Sequence, residues 1–243
     1  AGGLNHFSIL LHAKYKDSGK DGYPIIKQKF YEYYSDLVND HEGFYSKPGA
    51  ERGVFFELYK QYGYLPITTD SHLGEYLAWA YSVADHDGIL DFYDNYKKRC
   101  LTYYDNDSYH QFFDMNDPEP HERVIPIIEN IVTDANALEH AVNIPNDDFI
   151  ECLPKDIVVE VPATINKSGI HGKKLENYPK AFGTLLNSQV GAIQMTTEAV
   201  LSKSKQNAYY ALLADPVVDN AKAAASLLDT MIDSQKDFLG YLQ

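Results

Sequence analysis

The stretch Val158-Val159-Glu160-Val161 alternates poorly between apolar and polar residues, and a run of that kind reads as a strand buried on both faces. Such a strand needs neighbours in a sheet and cover above it, so a plain helical bundle is excluded. Further strands are read at Ala137 to Ile144 and in the apolar run Phe7 to Tyr15, which leads into a Gly-containing turn; Pro145 to Asp148 is read as a turn segment. Most of the rest carries helical spacing. Ile26, Phe30, Tyr33, Tyr34 and Leu37 share a face behind Pro24 at a first helical position. Phe55, Leu58 and Tyr59 do the same before Gly63, a fitting left-handed cap. A long helix is predicted from Ser71 to about Ala84, a breaker at Asp85 to Gly88, and helix again from Ile89 to Tyr104. Asp105 to Pro120 reads as a polar surface loop, and Glu122 to Asp134 as a helix bent at Pro126. Leu185 to Ser202 and Lys205 to Leu242 are helical, the last helix opening at Asp215-Pro216. Helices outnumber strands, so the fold class is α+β, helix-rich with an antiparallel sheet.

Composition removes several functions. The formal charge of −14 argues against binding a nucleic-acid backbone, which depends on Lys and Arg. No apolar run approaches the roughly 20 residues of a membrane span. The two cysteines, Cys100 and Cys152, form neither a CxxC pair nor a disulfide framework, which fits a reducing cytoplasm. A sequence that opens on a strand, with no leader before it, reads as one cut from a longer chain. The 20 tyrosines are foremost packing residues, their rings buried and their hydroxyls reaching a polar edge.

Two places concentrate chemistry. Asn5-His6 sets an imidazole beside a carboxamide, which can bind a divalent metal and orient a sugar hydroxyl, although a lone strand His is more often structural. Tyr64 to Tyr76 crowds Asp70, Ser71, His72, Glu75 and Tyr76 at a loop-to-helix junction, where free N–H groups suit a hydroxylated ligand. Helix capping alone accounts for Asp70, Ser71 and Glu75. It does not account for His72 and Tyr76 on one face, four residues apart, so both readings stand. His86, His110 and His121 read as solvated, and His140 as a core candidate. No HExxH, GxSxG, Walker or GxGxxG motif occurs, and Gly2-Gly3 is too short to cradle a pyrophosphate.

Four segments in order resemble family 4 glycoside hydrolases. Ala1 to His6 resembles the GxNH segment that opens their substrate half, and Tyr64 to Tyr76 a short segment of the α-galacturonidase and α-galactosidase branch. Asn143 to Asn146 with Val158 to Ala163 resembles their N-x-G and VEVP stretch, and Ala211 to Val218 their closing AL-x-x-P region. The resemblance implies that residues 1–243 are the C-terminal substrate-binding and oligomerisation domain, akin to that of lactate and malate dehydrogenases. The NAD-binding Rossmann half would lie outside this sequence. It implies a small-molecule glycoside as substrate, a homo-oligomer, and NAD with manganese as cofactors. Cleavage in such enzymes runs by oxidation at C3, proton loss at C2, elimination, addition of water and reduction, unlike the two-carboxylate scheme. On that implication His6 is the metal ligand, Asp70 the C2 base, and Asn5, His72 and Tyr76 contact substrate. The family's other metal ligand is an upstream Cys, which neither Cys100 nor Cys152 replaces, so this chain alone is expected to bind metal weakly and not to turn over. The competing expectations are a non-catalytic helical interaction module, which would scatter these residues and gather the tyrosines into one patch, and a stand-alone sugar-binding protein, which would show a closed pocket with stacked aromatics.

Overall fold

A computed structural model describes residues 1–39, 52–105 and 123–242. Strands β1 (Gly2–Leu4) and β2 (Phe7–Ile9) make a tight hairpin. Helices α1 (Tyr23–Asn39), α2 (Gly53–Tyr62), the single turn α3 (Asp70–Leu73), a 3-10 turn (Ala78–Ser82), α4 (His86–Asp105) and α5 (Val124–Val132) follow. Next come β3 (Ala137–Pro145), β4 (Val158–Asn166) and β5 (Gly169–Gly172). The chain closes with α6 (Lys180–Asn187), α7 (Val190–Ser202), α8 (Lys205–Ala214), α9 (Ala221–Ser234) and α10 (Lys236–Leu239). The sheet order is β2-β1-β4-β3, with β5 also on β4, and every pairing is antiparallel. The α+β class is borne out.

β4 is central, yet it is not buried on both faces as its sequence predicts. Val159, Val161, Ala163 and Ile165 are fully buried on one face, while Val158, Glu160, Pro162 and Thr164 on the other keep contact with solvent. Helices cover one side. Phe182 and Leu186 of α6 join Val54 and Leu58 of α2 over Val159 and Val161. Ile127 and Ile131 of α5 rest on Ala163 and Ile165. Three tyrosines behave as packing residues with satisfied hydroxyls: Tyr59 donates to Lys27 O, Tyr178 donates to Gly2 O, and Tyr23 accepts from Leu65 N. Burial pushes the Tyr23 phenol up to about 12.

Other boundaries move for local reasons. The helix predicted from Ser71 to Ala84 is one turn and a 3-10 turn, separated because Leu77 is extended. Asp85, read as a breaker, has its carboxylate accept Gly88 N and opens α4. Pro126 sits in the first turn of α5, where its missing N–H costs nothing, so α5 does not have to bend around it. The final helix starts at Ala221 rather than Pro216. Asn220 caps it through Ala223 N, and Asp215 instead folds a turn onto Val217 N. Gly63 ends α2 in the left-handed cap expected of it (φ 73°). His140 is exposed on β3, not in the core, and His86 is exposed as expected. His110, His121 and all of the acidic loop after Asp105 lie outside the described residues.

Candidate functional site

Asn5 and His6 are the two turn residues of the β1–β2 hairpin, closed by the Leu4–Phe7 pair. Asn5 has φ 46°, a left-handed conformation that Asn tolerates and β-branched residues resist. Ser8, fully buried, steadies the turn by donating from its hydroxyl to Asn5 O at 2.8 Å. Gly3 is required beneath it, since a Cβ there would come within 2.2 Å of Phe7 O across the hairpin. Gly2-Gly3 is therefore closely fitted sheet, not a phosphate loop. Both Asn5 and His6 are exposed.

The second half of the site comes from α3 and the residues after it. His72 lies with its ring centroid 4.2 Å from that of His6, tilted by 58°. Its Nδ1 is 3.7 Å from Glu75 Oε1. The Tyr76 ring stacks on Phe7 at 4.9 Å, parallel within 2°, and Phe7 packs edge-on against Phe182. The Asn5 side chain lies close enough to the Tyr76 hydroxyl to favour its ionised form. Burial raises the Tyr76 phenol above its ordinary value, and Asn5 opposes that rise. Gln189, buried between α6 and α7, donates to Tyr76 O at 2.7 Å and holds this backbone in place.

Asn5, His6, His72 and Tyr76 thus converge, although the two segments that carry them are far apart in sequence. Asp70 has different surroundings. It is fully buried, with Oδ1 accepting Phe55 N at 3.0 Å and Oδ2 accepting Asp85 N at 3.1 Å. Those bonds tie the start of α2 and the approach to α4 onto α3. Asp70 does not cap its own helix as the capping reading has it: Thr69 holds that position without a side-chain bond, and Asp70 serves the first turn of α2 instead. A carboxylate so engaged has to release two backbone donors before it can take a proton from a sugar.

Sequence reasoning missed Glu160. It pairs with Gly3 across the β4–β1 register, beneath the hairpin, and its Oε1 is buried without a hydrogen-bonding partner. Burial pushes its carboxyl up, against the lowering effects of the Ser8 hydroxyl, the Ala1 amino group and His6. A carboxylate inside an otherwise apolar strand is the signal that could have found it.

A divalent metal needs several donors. Among the described residues no three His, Cys, Asp or Glu side chains are grouped to hold one. His6, exposed at the turn tip, fits such an ion as a single imidazole ligand, so the other donors would come from outside this cluster. Two clefts flank the site. One of about 450 Å³ runs behind α3, past Ser71, Gly74, Tyr81 and His86. The other, about 630 Å³, is reached across Asn5.

A sheet covered by helices on one face carries imidazoles, a carboxamide and a phenol at its hairpin tip. The chain belongs to the family 4 glycosyl hydrolases: the model of the "Family 4 glycosyl hydrolase C-terminal domain" matches residues 1–218. An alpha-glucosidase of Erwinia rhapontici is 40% identical, covering 100% of this chain and 57% of its own length. An alpha-galacturonidase of Thermoanaerobacterium saccharolyticum is 26% identical over 98% of this chain and 53% of its own. A 6-phospho-alpha-glucosidase from gut microorganisms shares the fold. Its complex with NAD and glucose-6-phosphate gives a TM-score of 0.69 at 21% identity, covering 100% of this chain and 56% of that one. Its complex with NAD and Mn2+ gives 0.65 at 20%, covering 97% and 54%. This chain therefore spans just over half the length of the relatives it matches. Relatives of both glucosidase and galacturonidase type occur, with the higher identity on the glucosidase side.

Proposed function

We propose that this chain is the substrate-facing part of a glycosidase that cleaves a small-molecule glycoside by oxidation, elimination, addition and reduction, with NAD and manganese. The observation that carries this is the meeting of His6 with His72 and of Asn5 with Tyr76 at the hairpin tip. When bound, the two cofactors supply the oxidation of a ring hydroxyl and the polarisation of the carbonyl that results. His6 gives one ligand to the metal. Asn5 and His72 hydrogen-bond the hydroxyls on either side of the reacting carbons and so fix which C–H bond faces the protein.

The base role moves from Asp70 to Tyr76. The Tyr76 oxygen lies beside Asn5, whose amide opposes the rise that burial imposes on the phenol. The rigid stack on Phe7 holds the oxygen at the tip. Asp70 positions α3 and with it His72.

The test uses the natural polypeptide that carries this sequence, with NAD, Mn2+ and glycoside in deuterium oxide. Tyr76→Phe is expected to slow C2 proton exchange by roughly 10²-fold or more, and His6→Ala to weaken Mn2+ binding read by electron paramagnetic resonance. Exchange at the wild-type rate in Tyr76→Phe would remove the base assignment. Turnover of no glycoside by the wild type would remove the whole reading. Residues 1–243 alone are expected to bind Mn2+ weakly and to turn over nothing. No helix among the described residues is long and apolar enough to cross a membrane. We place the enzyme in the cytoplasm, where two unpaired cysteines stay reduced, and as a homo-oligomer joined through the outer face of α5.

A further inference from the structure

We infer that the cleft reached across Asn5 is a subsite for an uncharged, hydroxyl-rich part of the glycoside, and that Asp156 and Glu198 at its wall reject a phosphate or carboxylate on the sugar. The inference rests on the glycosidase reading above and names the substrate class within it.

The cleft lies between the hairpin tip, the segment leading into β4, and α7. Its polar lining is Asn5, Asn143, Asp156, Gln194, Thr197 and Glu198. Its volume of about 630 Å³ falls within the range of small-molecule sites. Asn5 belongs both to this lining and to the cluster with Tyr76. A hexose held by its C2–C3 edge at His6 and Tyr76 has its remaining substituents to place, and the concave surface on the far side of Asn5 receives them.

The lining chemistry then selects. Three carboxamides and a hydroxyl donate and accept, as sugar hydroxyls do, and the two carboxylates accept from hydroxyls. Gln194 donates to Asp156 Oδ2 at 3.0 Å, which fixes that carboxylate and leaves Oδ1 for a ligand. No Lys, Arg or His lines the cleft among the described residues. An anionic group placed here meets two negative charges and no positive one. That is the reverse of a phosphate- or carboxylate-reading site, which uses Arg or Lys. The two carboxylates are solvent-facing, so the discrimination they give is modest and salt-sensitive.

The experiment compares kcat/KM of the natural polypeptide, with NAD and Mn2+, for p-nitrophenyl α-glucoside, its 6-phosphate and the corresponding uronide. It then repeats the series with Asp156→Asn/Glu198→Gln. The neutral glycoside is expected to be preferred over both anions by at least about tenfold at low salt. The double substitution should shrink that ratio at least threefold, and so should 0.5 M NaCl in the wild type. A wild type that prefers either anion overturns the inference and leaves the glycosidase reading standing, as does a ratio unmoved by the double substitution. Turnover of none of the three removes the glycosidase reading itself, and this inference goes with it. Both side chains are exposed, so the variant is expected to fold, and an unchanged Tm confirms it.

Discussion

Asp70 and Glu160 are the two carboxylates whose surroundings say most about this molecule. Asp70 satisfies two backbone amides from a fully buried position. Asp70→Ala orphans both and is expected to cost about 3 kcal/mol in urea unfolding. Asp70→Asn, which keeps one acceptor oxygen, should cost less. Wild-type stability together with lost C2 exchange in Asp70→Asn would instead return the base role to it. Glu160 works the other way. Its folded pKa lies above the ordinary 4.5, so its charged form is disfavoured in the native state. The stability it contributes is present below 4.5 and is lost as pH rises through the folded value. Glu160→Gln is therefore expected to raise Tm at pH 7, with the advantage fading on acidification; a variant less stable than wild type at pH 7 would contradict this. The residue types at the site were legible in sequence: Asn5-His6 and His72 with Tyr76 stood out by juxtaposition and spacing. Which carboxylate faced water was not. Burial of Asp70 depends on α2 and the Asp85 backbone arriving from elsewhere in the chain, and no local pattern records that.

Among the elements, the hairpin and β4 bear most on the site. Gly3→Ala would drive a methyl into the Phe7 carbonyl across a two-strand ribbon that has little freedom to move. We expect a loss of roughly 3 kcal/mol by thermal unfolding, and of Mn2+ affinity along with it; a Tm within about 1 °C of wild type would show that the hairpin yields. Helices were read well where capping residues marked their ends, as Gly63 does for α2. They were read poorly where tertiary contacts decide, as between Leu73 and Ala78. β4 shows the same division. Its run of valines called correctly for a central strand, but the number of covered faces depends on where α5, α6 and α2 settle, and a strand's own sequence reports on that only weakly. Asn146, by contrast, lies in a segment read as a turn. Its buried amide donates to Ile150 O, Leu153 O and Pro154 O and turns the chain toward β4.

At the scale of the molecule, α5 is apolar on more sides than the sheet can use. Ile127 and Ile131 face β4, while Val124, Ile125, Ile128 and Val132 are all at least half exposed. Apolar surface of that extent commonly marks an interface. Sedimentation velocity is expected to show self-association that Ile125→Glu/Ile128→Glu weakens, whereas a wild type that stays monomeric at all concentrations would dismiss it. The two-residue hairpin has one more consequence. A loop of that length has no slack, so adding a single residue would throw the imidazole out of register with its partner ring while leaving the rest of the sheet intact. Variation in length among natural versions of this domain should therefore accumulate everywhere except at that corner, and a version longer there should have lost its hold on manganese before it lost its shape.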